Sequence, residues 1–427
     1  MEIWSLTGVV TVLFVFYKFI KRLGNTIPVL ELLLLIAGLQ WIIGPIIEYN
    51  TPSFHDRYSM YVVEPIYMQY VVPAYLVFVC SILFIISKYS NLIISINSFI
   101  RHKKLAYVLL VVGLLSDFLG PILPSALSFF FYLLSNFKFV GAIILFFSND
   151  KRLRIIFYFS ILYLFYNSLQ NALFHDFILW SIFFYMFWAI KYKPSIRTIL
   201  YTIILGVLFL ITLQSIKAAY RTEIWKGYSG NKIELFLGLV LDSIFSEGLF
   251  AEISEVNVSD TSIGNNVRLN QGWIISSIMD NIPQKQDFLE GETISNAIIS
   301  SIFPRFLLPD KETAGGKKNF ELFTGLQLGT NTSMGISIVG ESYGNFGVTY
   351  GIVFMSFWGA FLALIWNRLF NFFLDNLVYL AFIPLIFLQV IKAETELVVV
   401  LNHLFKSLIV VFLFIFIYTK YSFNKSY

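Results

Sequence analysis

Apolar runs broken at short intervals by charged or turn-forming residues divide most of the chain. They cover residues 3 to 20, 29 to 48, 68 to 87, 105 to 119, 124 to 147, 155 to 173, 175 to 190, 198 to 216, 347 to 366, 377 to 391 and 397 to 418. A helix crossing a hydrocarbon core of about 30 Å needs roughly 20 such residues. The runs are continuous and lack the alternation of barrel strands. The pattern therefore predicts an all-α polytopic membrane protein of about eleven transmembrane helices. The narrowest separations are the GPILP turn at Gly120 to Pro124 and the break at Phe174 to Asp176.

One stretch departs from this rhythm. Residues 217 to 346 hold most of the chain's Gly-, Asn-, Thr- and charge-rich sequence, so the expected division is a bundle of about eight helices over 1–216, a large loop over 217–346 and about three helices over 347–427. A connection this long is unusual without a function. Inside it, Ile233 to Phe250 reads as an amphipathic helix, too short and too interrupted to span, and fit to lie at the interface.

Lys and Arg cluster in alternate short connections: Lys18, Lys21 and Arg22, then Lys88, Arg101, Lys103 and Lys104, then Lys151, Arg152 and Arg154, then Lys191, Lys193 and Arg197. By the bias of cations toward the cytoplasmic side, these connections face the cytoplasm. The N-terminus and the large loop are then outside, and the C-terminus is inside. The first apolar run carries its cations after it, the reverse of a cleavable signal, so it is expected to remain as a span.

Composition narrows the class further. At 57% hydrophobic, 13% charged and a mean hydropathy of +0.75, the chain is far from an ordinary soluble domain, which is about 25% charged. The single cysteine, Cys80, excludes an intrachain disulfide, and four scattered histidines form no metal-ligand pattern. There is no GxxxxGK[ST] nucleotide loop. No cofactor, metal or nucleic-acid partner is expected.

Four features carry candidate chemistry. Arg221, with Glu223, follows the eighth run, where it can bind a lipid phosphate or anchor a helix end at the headgroups. Arg268, in NNVRLNQGW, offers a planar fork for diphosphate or carboxylate, or an ion pair within the loop. In FPRFLLPDKETAGGKK, Pro304 and Pro309 stiffen the backbone around Arg305, Lys311 lies in a turn, and Gly315 and Gly316 precede Lys317 and Lys318. Cations beside backbone amides of this kind form an anion cradle, or simply a solvated basic turn. In GTNTSMGISIVGESYGNFG, Glu341, Tyr343 and Asn345 enter the ninth run among glycines. An ionisable group at membrane depth is costly and marks either function or a buried cap and helix contact. Weaker candidates are His55, Asp56 and Arg57, then Lys392, Glu394 and Glu396, and finally His403 and Lys406.

With PRFLLPDK and its Gly-Gly, TSMGISIVGESYGNFG leading into a span, and one dominant late loop, the chain resembles the O-antigen polymerase family (Wzy-type) of bacterial repeat-unit polymerases. Arg305 and Gly316, with ten residues between them, resemble the Arg-x10-Gly signature of such loops. The likeness covers about 80 residues, and the second basic external loop of some members is reduced here to Arg57.

The resemblance implies a GT-C-like, inverting, metal-independent glycosyltransferase of the bacterial cytoplasmic membrane. Its substrate is an oligosaccharide linked to undecaprenyl diphosphate, and its partners are the bilayer and chain-length-regulating and flippase membrane proteins. On that basis Arg268 and Arg305 are expected on the diphosphate, Lys311 in support, and Glu341 as the base. The alternatives are an O-antigen ligase with the same chemistry, a flippase or transporter of lipid-linked sugars, and a structural partner of an export complex. A transporter usually places its site near the midplane, and here polarity concentrates in one loop.

Overall fold

The computed structural model describes residues 3–52, 58–86, 97–100, 102–245, 269–303, 316–329 and 332–423. Every regular element among them is helical. In order they are α1 (Ile3–Arg22), α2 (Val29–Gly38), a π-helical turn (Leu39–Ile43), α3 (Gly44–Asn50), α4 (Glu64–Ile86), the single turn α5 (Asn97–Ile100), α6 (Lys103–Leu119), α7 (Ser125–Ser135) and α8 (Phe137–Phe146). Then follow α9 (Lys151–Asn171), α10 (His175–Tyr192), α11 (Ile196–Trp225), α12 (Lys232–Phe245), α13 (Gly272–Asn281), α14 (Glu292–Ile302), α15 (Lys317–Thr324), α16 (Ile338–Phe373), α17 (Ile383–Phe387) and α18 (Leu397–Phe423).

Among the described residues, eight helical stretches are long and apolar enough to cross a membrane, which makes this a helical, multi-pass membrane protein. The difference from eleven runs has two sources. The runs 347 to 366 and 377 to 391 fall in one stretch, Ile338–Phe387, joined by a 3-10 segment over Leu374–Phe382. The runs 155 to 173 and 175 to 190 do form helices, α9 and α10, which are not among the eight. α9 opens with Lys151, Arg152 and Arg154 and carries Asn167, Gln170 and Asn171, which dilute its apolar content.

The most extensive pairing is between α4 and α16. In lipid no hydrophobic force separates helix from tail, so close approach depends on small residues and interhelical polar contacts. Gly359 lets the backbones meet: a Cβ there would lie 2.9 Å from the Phe78 carbonyl oxygen. Ser81 and Ser356 share a hydrogen bond of 2.9 Å, and the Tyr70 hydroxyl donates to the Val339 carbonyl at 2.7 Å. Helix starts are set locally. Asp150 caps α9 by accepting from the Arg152 N–H, and Ser195 caps α11 by accepting from Thr198.

α11 continues beyond residue 216 as far as Trp225. Against it packs α12, the amphipathic helix expected from Ile233, which the structure describes from Lys232 to Phe245. Tyr220, Phe174, Leu169 and Phe236 form a small apolar cluster there, separate from the main core. The later part of the connection behaves differently. α13, α14 and α15 fold back onto the bundle: α14 lies along α18, and α13 packs against α16, α15 and α3. Each has the pattern for this. α14 buries Ile294, Ala297 and Ser301 on one face, and α15 buries Phe320 and Phe323 while Lys317 and Lys318 begin its other side.

Candidate functional site

The first turns of α16 are the meeting point. Gly347 has φ 68° and ψ −163°, which breaks the helical course at the residue where the ninth run was expected to start. Such a backbone favours glycine. The break leaves carbonyls one turn earlier without helical donors, and residues from the connection take them: Leu289 N–H donates to Gly344 O and Glu290 N–H to Asn345 O, both at 3.1 Å. The Asn345 side chain completes the latch. Its Oδ1 accepts from the Gly291 N–H at 3.1 Å, and its Nδ2 donates to Thr293 Oγ1 and Glu341 O, each at 2.8 Å.

Glu341 lies within this junction at 1% exposure. Its Oε1 accepts from the Thr293 hydroxyl at 3.0 Å and its Oε2 from the Leu397 N–H at 2.8 Å. The carboxylate thus binds the first residue of α18, where the free N–H groups and the helix dipole favour negative charge. Both oxygens are occupied. The expected base is, in this conformation, the joint between α14, α16 and α18. Tyr343, 8% exposed, packs its ring edge-on to Tyr70 with centroids 5.0 Å apart and also meets Phe288.

Two further carboxylates stand beside it on the turn that precedes α18. Glu396, 1% exposed, accepts from Asn319 Nδ2 at 2.9 Å, so α15 is tied to the same turn. Glu394 is partly exposed, and its Oε2 accepts from Gln40 Nε2 at 3.3 Å. Lys392 completes the turn, with its Nζ 3.9 Å from Asp176. Burial pushes its ammonium below the usual lysine range, against the opposing pull of Asp176 and Glu394.

Of the residues expected from sequence, the structure therefore gathers Glu341, Tyr343 and Asn345, and brings Glu394 and Glu396 to them. Lys317 and Lys318 sit on α15 next to Asn319, with Lys317 Nζ near the Gly329 carbonyl at 3.4 Å and Glu321 at 4.0 Å. Arg221 belongs to the separate cluster of α9, α11 and α12. It donates through Nε to the Ala172 carbonyl at 3.0 Å and stacks on Trp225, which fits the helix-end role. Arg268, Arg305 and Lys311 lie outside the described residues, as do His55, Asp56 and Arg57. His403 and Lys406 are on α18, where His403 Nε2 meets the Leu385 carbonyl at 2.8 Å and Lys406 lies over the Phe129 ring. Among the described residues no group of His, Cys, Asp and Glu has the arrangement of a metal site.

Thr293, Asn319 and Gln40 were not among the expected residues. Gln40 had a signal, as the one polar side chain between Leu32 and Ile43. A second polar cluster lies where α6, α8 and α9 meet: the buried Lys138 of α8 pairs with the partly exposed Asp117 of α6, and the exposed Tyr163 hydroxyl donates to Asp117 at 2.7 Å. Comparison of the chain with family models, with curated proteins and with solved structures finds no match in any of the three.

Proposed function

We propose that this protein is a membrane glycosyltransferase that joins oligosaccharide repeat units carried on undecaprenyl diphosphate, at the outer face of the bacterial cytoplasmic membrane. The observation that carries this reading is the helical cover. The polar connection does not stand apart from the bundle but returns α13, α14 and α15 onto it, with α14 bonded to Glu341 and α15 to Glu396, on the helix and turn that also carry Glu394 and Lys392. That is where a substrate with a charged head, a hydrophilic glycan and a lipid tail would have to react.

In the reaction, a hydroxyl oxygen of one unit attacks the anomeric carbon of the other chain. The bond from that carbon to the diphosphate oxygen breaks, and undecaprenyl diphosphate leaves with the electron pair. Arg268, Arg305 and Lys311 are assigned to the developing charge on the diphosphate, with Lys317 and Lys318 adding positive potential. Glu341 and Asn345 hold the cover in register.

A lipid-linked-sugar flippase is the second reading, and it is favoured by Lys138, a buried ammonium on the apolar helix α8 that pairs with the partly exposed Asp117, since an ionisable group at membrane depth often marks a translocation path. A ligase shares the first reading's chemistry and differs in acceptor. Purified protein in vesicles, given lipid-linked repeat units extracted from its own cells, decides among them. The polymerase makes ladders unaided, and Arg305→Ala abolishes them while leaving membrane insertion intact. Wild-type ladders from that variant, or no ladders from the wild type, would overturn the assignment.

A further inference from the structure

The amphipathic pattern of α12 suits a helix lying flat at the membrane surface, but its neighbours set a different course. At its start, Lys232 Nζ donates to the Gln170 carbonyl at 2.9 Å, next to the end of α9 at Asn171. One turn on, Phe236 meets Phe165, further back along α9, with ring centroids 5.7 Å apart. The same happens on α11. Phe236 lies against Tyr220 with centroids 5.6 Å apart, and Ser243 shares a hydrogen bond of 3.0 Å with Ser215. As the chain advances along α12, its contacts recede along both neighbours, so α12 runs antiparallel to α9 and α11. A helix lying flat would cross them instead.

α11 is one of the eight stretches fit to cross the membrane, so antiparallel packing on it carries α12 toward the bilayer. The start of α12, with the Lys232 carbonyl 3.3 Å from the Tyr220 hydroxyl, stays level with the polar end of α11 that holds Arg221 and Glu223. Its far end does not. Ser215, the partner of Ser243, lies about 15 Å before the end of α11 at Trp225, at roughly 1.5 Å per residue. Ser215 also falls within the apolar run 198 to 216.

α12 carries two apolar faces. One buries Phe236, with Leu235, Leu239 and Val240 packed around it. The other is a stripe of Ile233, Leu237 and Leu241, four residues apart, at 44%, 52% and 52% exposure. Polarity falls along this side: Asn231 and Glu234 stand beside Ile233, and Leu237, Gly238 and Leu241 follow, all lining one shallow, open concavity. Water penalises such a stripe, whereas acyl chains match it. Asp242, near the inner end, engages another group of the protein. We infer that α12 dips into the bilayer as a short re-entrant helix, with Ile233, Leu237 and Leu241 facing the acyl chains of the surrounding lipid at increasing depth. The first part of the polar connection is thereby embedded in the membrane, while α13, α14 and α15 fold onto the bundle. The inference is independent of the chemistry proposed in the preceding section.

The test uses the full chain in nanodiscs, with Cys80 replaced by serine and a nitroxide attached to Ile233→Cys, Leu237→Cys or Leu241→Cys. Accessibility to oxygen, which concentrates in hydrocarbon, is compared with accessibility to a water-soluble nickel complex. The oxygen-to-nickel ratio should rise from Ile233→Cys through Leu237→Cys to Leu241→Cys, with a depth gain of at most about 6 Å per step of four residues. Equal ratios at the three positions would mean that α12 lies flat, and a ratio typical of water at Leu241→Cys that it stands outside the bilayer; either overturns the inference. A Leu241→Cys label reached by neither reagent overturns it as well, because protein rather than lipid would then cover the stripe. Thermal unfolding in nanodiscs gives a readout without labels: Leu241→Asp should melt well below wild type and Ile233→Asp close to it, since a charge costs more with depth. Each of these substitutions stands next to an existing acid, Asp242 or Glu234, so equal melting of the two variants would overturn the difference in depth.

Discussion

Glu341 and Leu397, 56 residues apart, are joined by a hydrogen bond of 2.8 Å from the backbone N–H that opens α18 to a carboxylate on α16. The other oxygen of that carboxylate holds Thr293 of α14. One acidic side chain thus ties the cover to two transmembrane helices. Its position on a helix N-terminus offsets part of the cost of burying it, because the orphan N–H groups there need an acceptor.

Truncation of this joint has a defined expectation. Glu341→Ala leaves the Leu397 N–H and the Thr293 hydroxyl without their acceptor inside the protein, at a cost of about 1–3 kcal/mol for each donor left unsatisfied. Glu341→Gln keeps an amide oxygen for Leu397 and can donate to Thr293, so it should melt between the alanine variant and wild type. Thermal unfolding in detergent measures this. Equal melting of Glu341→Ala and wild type would show that the junction does not depend on the carboxylate.

The latch around Gly347 makes a separate prediction. Alanine at φ 68° is strained by about 1–3 kcal/mol, and its Cβ would meet the Phe288 ring at 3.2 Å. A helix that ran straight through would recapture the Gly344 and Asn345 carbonyls and release Leu289 and Glu290. Gly347→Ala should therefore expose the preceding segment, and trypsin should cut faster at Lys285, whose side chain is already 65% exposed. Cleavage at the wild-type rate would count against the latch.

What was legible in the sequence follows the range of the interactions involved. Spans depend on local apolar content, so the helices fall close to the runs that predict them. The same measure overcounts where a 3-10 segment at Leu374–Phe382 joins two runs. Glu341 and Asn345 stood out because polarity at membrane depth is rare. Their partners Thr293 and Gly291 were hidden, since a contact across about 50 residues leaves no periodic trace. Glu341's hydrogen bonds to Thr293 and Leu397 were equally invisible, because both partners lie far away in the sequence.

Packing of α4 on α16 can be tested by a matched pair of glycines. At Gly359 a side chain would collide with the backbone of Phe78, which cannot move aside without shifting α4. At Gly206 on α11, nothing lies within 4 Å of a new Cβ. Gly359→Leu should lower the melting temperature sharply or prevent folding, by an overpacking cost of about 1–3 kcal/mol or more. Gly206→Leu should fold as wild type, and a comparable loss there would mean that α11 has a neighbour the intramolecular packing does not supply.

The glycosyltransferase reading requires α15 to face the side of the membrane where lipid-linked glycan is presented. Lys318 is exposed near the start of that helix, whereas Lys103 and Lys193 lie at the ends of spans whose cations are expected in the cytoplasm. In a background with Cys80 replaced by serine, Lys318→Cys should react with a membrane-impermeant maleimide in right-side-out vesicles. Lys103→Cys and Lys193→Cys should react only after permeabilisation. The reverse pattern would put the cover and the cations proposed to meet the diphosphate in the cytoplasm, and the proposed reaction would then have no substrate within reach.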